Sequence, residues 1–269
     1  MEQVSSEVIV ANLVSSLFWI LLVAAVLLAG HQMQGTRHLR DGMIRQWKPS
    51  LAIAALLTIS TALGSGGRGI FNPYAVTVFC QLLVGFALAG SIRGYEPLPV
   101  TRSIIRRERA ARAIGNMIGI SLLLVLLVVM VNGIVTSIGQ QVFGETNDTV
   151  ETMGTFFPSS KWQTFFLLLS GAGIGEETPY RLVFLSLFWR LTGHRWVAII
   201  LSAVLFGAYH LTPLDTMYRF FLQFPISVFL ASSLIGTMLG YVFVKRGYET
   251  AVFGHTLSDW IPYTLSGVG

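Results

Sequence analysis

Long apolar runs separated by short polar stretches dominate the sequence. A helix that crosses a bilayer needs about 20 apolar residues at a rise of 1.5 Å each, and about eight stretches approach that length. They are 10–30, 51–63, 73–92, 114–134, 162–174 continuing into 178–189, 196–211, 220–244 and 250–265. The pattern predicts an all-α fold, a polytopic membrane helix bundle of about eight transmembrane helices.

Composition supports a membrane protein. Of the 269 residues, 53% are hydrophobic and 12% are charged, and the mean hydropathy is +0.67, whereas soluble proteins are about 25% charged. The net charge of +5 could indicate nucleic-acid binding. Because the basic residues stand between the apolar runs, we expect the lipid bilayer, and no nucleic acid, as a partner.

The basic residues also predict the orientation of the chain, since Lys and Arg stay on the cytoplasmic side. They concentrate in the loops after the first, third, fifth and seventh runs, at 31–50, 93–113, 190–195 and 245–249. Both termini are therefore expected on the non-cytoplasmic side, with the cell membrane as the location. The first run has an acidic flank and no cleavage-like site, so we expect it to be retained.

Charged groups at bilayer depth are costly, and those that persist usually line a functional cavity. We therefore interpret residues 1–269 as one integral membrane domain, in which 1–160 supply spans of undetermined role and 161–269 form the core that carries the polar motifs. Asp215 and Arg219, near a helix end, are expected to be interfacial anchors. The ionisable residues inside the predicted spans are Glu176, Glu177, Arg181, His210, His255 and Asp259.

The spacing in the first motif assigns different surroundings to the two adjacent glutamates. Glu177 and Arg181 are four residues apart, so on a helix they share a face and can form an ion pair. Glu176 lies about 100° away and can point elsewhere. Pro179, in the same stretch, lacks the N–H that would bond the Gly175 carbonyl, so the helix is expected to kink or break there.

The other two motifs have the same four-residue spacing. Phe206 lies one turn before His210 and can pack against its imidazole, and His255 lies one turn before Asp259. Counted from the basic loops at 1.5 Å per residue, Glu176 and His210 both lie about 21–23 Å from the inner end of their helices. A carboxylate and an imidazole are thus predicted at one level of the bilayer.

Taken together, Glu176-Glu177-x-x-x-Arg181, Phe206-x-x-x-His210 and His255-x-x-x-Asp259 resemble the three motifs of the CPBP family of intramembrane proteases, which includes CAAX prenyl endopeptidases and bacteriocin-processing relatives. The resemblance covers roughly the last 110 residues. It implies that Glu176 is the general base acting on a water, that His210 assists it, and that His255 and Asp259 stabilise the oxyanion. Glu177, Arg181 and Phe206 would orient these groups.

The predicted function is an intramembrane endopeptidase that cleaves a membrane-anchored or lipidated protein. A mechanism that uses a divalent metal such as zinc is an open alternative, because Glu176, His210 and His255 could ligate the ion. The sequence contains no H-E-x-x-H motif, however. Two non-proteolytic alternatives are a membrane scaffold or immunity-type protein of the same family, and a transporter in which Glu176 and Asp259 carry protons. The lack of repeat symmetry speaks against the transporter.

Overall fold

The computed structural model describes residues 6–32, 34–67, 74–145 and 157–266. Within these residues the backbone forms helices joined by turns, without strands. The predicted all-α fold is therefore confirmed. The elements are α1 (Ser6–Gln32), α2 (Gln34–Arg45), α3 (Trp47–Gly64), α4 (Tyr74–Ala89), α5 (Pro99–Ile105), α6 (Ala110–Phe143), α7 (Lys161–Leu168), π1 (Leu169–Glu176), π2 (Thr178–Leu185), α8 (Ser186–Thr192), α9 (Arg195–Tyr209), α10 (Tyr218–Phe221), α11 (Pro225–Arg246) and α12 (Tyr248–Leu265).

The predicted apolar runs coincide with helices, the fifth with the continuous stretch from α7 to α8. Four helical segments are long and apolar enough to cross a membrane, namely Ser6–Ala29, Trp47–Gly64, Ala110–Phe143 and Pro225–Arg246, while α4 and α9 are shorter apolar helices. Only 17% of the apolar window of α1 and 28% of that of α6 are buried inside the protein. Such exposed apolar faces suit contact with lipid, and the helical membrane bundle is confirmed. The number of crossings and their direction remain predictions.

Two shorter helices, α2 and α5, lie outside the predicted apolar runs, whereas the seventh run, 220–244, includes part of α10, the turn after it and most of α11. On α2, Leu39 and Met43 are four residues apart and face the same way, and both join a cluster that includes Cys80 and Ala87 of α4. Gly42 lies between them, and a Cβ there would be 3.0 Å from the Cβ of Ala87. The basic segment after α1 is therefore a packed helix because one of its faces is apolar.

The fifth predicted span departs from α-helical geometry where the first motif lies. The backbone is π-helical over Leu169–Glu176 and again over Thr178–Leu185. Such turns often occur at functional sites. The irregularity predicted at Pro179 is thus present, as widened turns rather than as a break. Pro179 has no N–H with which to bond the carbonyl of Gly175. This carbonyl accepts a hydrogen bond from the Tyr74 hydroxyl at 3.2 Å.

Close packing joins the helices before residue 160 to those after it. Gly85 of α4 lies against π2, and a Cβ at this position would be 2.7 Å from Cγ of Leu182. Small residues at such crossings let membrane helices approach closely. Leu182 is fully buried in the central core, together with Phe86 of α4, Ile199 of α9 and other residues from α3, α11 and α12. The two predicted parts of the chain therefore share one hydrophobic core.

Candidate active site

The two adjacent glutamates occupy different environments, as the sequence predicted. The side chain of Glu176 retains 19% of its accessible surface, whereas that of Glu177 has none. Glu176 ends π1, and Glu177 stands between π1 and π2. One carboxylate is therefore partly accessible, and the other is enclosed in protein.

Glu177 forms the predicted ion pair with Arg181. Nε of Arg181 donates to Oε2 of Glu177 at 3.2 Å, and both side chains are fully buried. The guanidinium also donates to Oγ of Ser202 at 3.3 Å and lies over the ring of Phe206, 4.7 Å from its centroid. Its Nη2 has no hydrogen-bond partner among the described residues. Arg181 thus links π2 to α9, and Glu177 compensates its positive charge.

The second oxygen of Glu177 binds His255 on α12. Oε1 lies 3.0 Å from Nδ1 of His255. The other ring nitrogen, Nε2, lies 3.9 Å from Oε2 of Glu176 and 3.7 Å from Oδ2 of Asp259. Because Glu177 occupies Nδ1, it is Glu177 rather than Asp259 that orients the ring of His255. Asp259 and Glu176 instead both lie near Nε2.

His210 follows the last residue of α9 and is linked to His255 through the ring of Phe206. The Phe206 ring contacts its imidazole edge-on, with centroids 4.8 Å apart, which is the packing predicted from their spacing. The same ring is 5.8 Å from that of His255. Glu176 lies within electrostatic range of both imidazoles. The three motifs therefore converge, and Phe206 packs between the two histidines.

The expectation that Asp215 is an interfacial anchor is wrong. Asp215 is 6% exposed, and its Oδ2 lies 2.6 Å from Nδ1 of His210. The turns between α9 and α10 fold this carboxylate back toward the helix end instead of leaving it in the interface. Arg219 differs: it is an exposed residue that pairs with Glu7 near the start of α1. A signal for Asp215 was present, since it follows His210 by five residues in a turn-forming segment.

Tyr74 is a second residue at the site that the sequence pattern did not identify. Its hydroxyl donates to the carbonyl of Gly175, the residue before Glu176. It comes from α4, which is separated from the first motif by about a hundred residues and bears no polar motif of its own. No local spacing could have linked it to Glu176.

A catalytic metal ion would require a specific arrangement of the carboxylate and imidazole side chains. Catalytic zinc is typically held by three protein ligands with bonds of about 2.0–2.3 Å. Among the described residues, no group of three or more His, Cys, Asp or Glu side chains is arranged to hold a metal ion. The set Glu176, His210 and His255 therefore does not fit a metal in this conformation.

Comparison with known proteins identifies one similarity. Residues 158–261 match the family model described as type II CAAX prenyl endopeptidase Rce1-like. No curated protein and no solved structure matches the chain. The matched segment contains all three polar motifs and the helices π1, π2, α9, α11 and most of α12. The resemblance to the CPBP intramembrane proteases is thereby confirmed for residues 158–261.

Proposed function

We propose that the protein is an intramembrane endopeptidase that hydrolyses a peptide bond of a membrane-anchored or lipidated protein. The match of residues 158–261 to an endopeptidase family supports the reaction class. The observation that carries the proposal is the separation of 3.9 Å between Glu176 and Nε2 of His255. Such a gap is too long for a direct hydrogen bond and suits a bridging water.

In this proposal Glu176 is the general base. Its partly accessible carboxylate accepts a proton from the water that attacks the scissile carbonyl, and His210 assists the transfer. A positioned general base typically contributes about 10²–10⁴-fold to the rate. Glu177 cannot take this role, because its two oxygens already bind Arg181 and His255 inside the protein.

His255 and Asp259 stabilise the oxyanion that forms on the substrate. With Nδ1 bound to Glu177, an imidazolium at His255 directs its second N–H from Nε2 into the space shared with Glu176. A carboxylate cannot donate, so Asp259 contributes a hydrogen bond only as a neutral acid. Donors directed at a developing oxyanion are often the largest electrostatic contribution to catalysis. Asp259→Asn, whose amide donates in every protonation state, should therefore retain more activity than Asp259→Ala.

The proposal is tested with the purified full chain in proteoliposomes containing a library of prenylated and acylated peptides. Glu176→Gln and His210→Ala should each lower kcat by at least about 100-fold while the protein still inserts and elutes as the wild type does. Glu108→Gln, which removes a charge from an exposed turn, is the matched control and should cleave normally.

Full activity in Glu176→Gln would reject the proposed reaction. A wild-type protein that cleaves no peptide, together with unchanged biological output of Glu176→Gln in cells, would indicate a scaffold instead. A proton-coupled flux that depends on Glu176 and Asp259, without peptide cleavage, would point to the transporter.

A further inference from the structure

Asp215 uses both of its carboxylate oxygens inside the turn that follows α9. Oδ2 lies 2.6 Å from Nδ1 of His210, and Oδ1 accepts the backbone N–H of Met217 at 2.7 Å. The second contact is an Asx turn, in which an aspartate binds the backbone two residues later. The backbone N–H of Asp215 itself bonds the carbonyl of Thr212. The carboxylate is thus fixed at both oxygens and through its own backbone.

The imidazole of His210 is enclosed by aromatic rings. Phe206, Tyr209 and Phe221 lie with their centroids 4.8, 5.1 and 5.5 Å from that of His210. The side chain of His210 is 11% exposed and that of Asp215 is 8% exposed. Rings can hold the imidazole by contact but cannot decide which nitrogen carries the proton. In the described structure that choice falls to the carboxylate at Nδ1.

His255 is held in the same manner by a different part of the chain. Its Nδ1 binds the buried carboxylate of Glu177, and its Nε2 faces Glu176. In each case a carboxylate occupies Nδ1 and leaves Nε2 for another partner. Carboxylates commonly orient functional histidines through the second ring nitrogen. Asp215 therefore binds Nδ1 of His210 in the same way as Glu177 binds Nδ1 of His255, although Asp215 belongs to none of the three motifs.

We infer that Asp215 is a positioning residue, which holds His210 with its proton on Nδ1 and its Nε2 lone pair toward the water of Glu176. The inference rests on the proposed function. A neutral imidazole has one donor and one acceptor nitrogen, and an ionised carboxylate only accepts. Nδ1 must therefore carry the hydrogen. Nε2 is then left to accept a hydrogen bond from the attacking water, whose other proton passes to Glu176. Glu176 returns that proton to the leaving amine, so the proton balance closes within the site.

The two contacts of Asp215 explain why asparagine is an informative replacement. Both partners, Nδ1–H of His210 and N–H of Met217, are donors, and asparagine has only one acceptor oxygen for them. If that oxygen keeps the bond to Met217, the amide N–H₂ faces Nδ1 and imposes the opposite tautomer. Asp215→Asn is therefore expected to preserve the turn and to reverse the proton on His210.

The first test reads the tautomer directly. Heteronuclear NMR on the full chain in micelles, with isotopically labelled histidine, distinguishes Nδ1–H from Nε2–H, and His210→Ala assigns the signal among the 5 histidines. We expect Nδ1–H in the wild type and Nε2–H in Asp215→Asn. A wild-type His210 with its proton on Nε2 would overturn the inference, whether or not the protein cleaves peptides and whether or not the variant folds.

The second test separates the inference from the proposed function. Asp215→Asn should lower kcat by about 100-fold or more with little change in KM, as expected when a histidine is held in the wrong tautomer. Thr216→Ala, an exposed neighbour in the same turn, should behave as the wild type. A kcat within about threefold of wild type for Asp215→Asn, alongside an inactive Glu176→Gln, would refute the role of Asp215 and leave the proposed function intact. Full activity in Glu176→Gln would instead refute the proposed function.

Discussion

Removing the charge of Glu177 while keeping its shape, as in Glu177→Gln, is expected to destabilise the protein strongly. Its partner Arg181 is fully buried, and one of its nitrogens already lacks a hydrogen-bond partner within the part of the chain that the structure describes. The remaining contacts of the guanidinium, to Ser202 and to the ring of Phe206, bring no negative charge. Breaking a buried ion pair from one side costs about 3–5 kcal/mol, because an uncompensated charge is left behind.

The double variant provides the decisive comparison. Arg181→Met alone leaves the Glu177 carboxylate with His255 as its one described partner and should cost a similar 3–5 kcal/mol or so. When both charges are removed, in Glu177→Gln with Arg181→Met, no uncompensated charge from this pair stays buried. The double variant should then be no less stable than either single variant, so the coupling energy is several kcal/mol.

The free energy of unfolding is measured by denaturant titration in mixed micelles, followed by tryptophan fluorescence. Glu108→Gln, on an exposed turn, is the control and should change stability by less than about 0.5 kcal/mol. Single variants that lose under about 1 kcal/mol would refute the reasoning. So would a double variant that loses the sum of the two, since independent contributions would mean that the charges do not compensate each other.

Three further outcomes are expected. Gly173→Ala would place a Cβ 2.3 Å from Oγ1 of Thr256 on α12 and should lower the free energy of unfolding by about 1–3 kcal/mol. Gly171→Ala is the control and should not destabilise the protein, because the space around Gly171 is open. Equal effects of the two substitutions would contradict the packing. Tyr74→Phe removes the donor to the Gly175 carbonyl and should cost about 1 kcal/mol and lower kcat, so an unchanged kcat and stability would count against its role. Dialysis against a strong chelator should leave the cleavage rate unchanged, and loss of activity restored by zinc would require a different conformation of the site.

Local spacing was sufficient to predict the parts of the site that lie on single helices. The four-residue intervals correctly predicted the pair of Glu177 with Arg181 and the contact of Phe206 with His210. Those predictions depend only on helical periodicity, which survives even where the helix widens. The apolar runs likewise predicted the helices, because run length and hydropathy are local properties.

Contacts between elements could not be predicted in the same way. The bond between Glu177 and His255 joins residues 78 positions apart and depends on how α12 packs beside π1. The position of Asp215 depends on a succession of turns after α9, and a charged residue near a helix end is more often interfacial. Pro179 predicted an irregular helix, but the sequence alone does not determine whether a proline is accommodated by a break or by π turns.

The contacts of α4 bear on where the folding unit begins. Tyr74 and Gly85 both precede the segment that matches the family, yet both contact it. The hydroxyl of Tyr74 donates to the carbonyl of Gly175, and Gly85 packs against Leu182. A polypeptide starting at residue 158 would lack the hydroxyl that bonds that carbonyl and the helix that covers that leucine. The boundary of the matched segment thus cuts through close packing, and transplanting residues 158–261 onto foreign helices would require rebuilding the surface of α4.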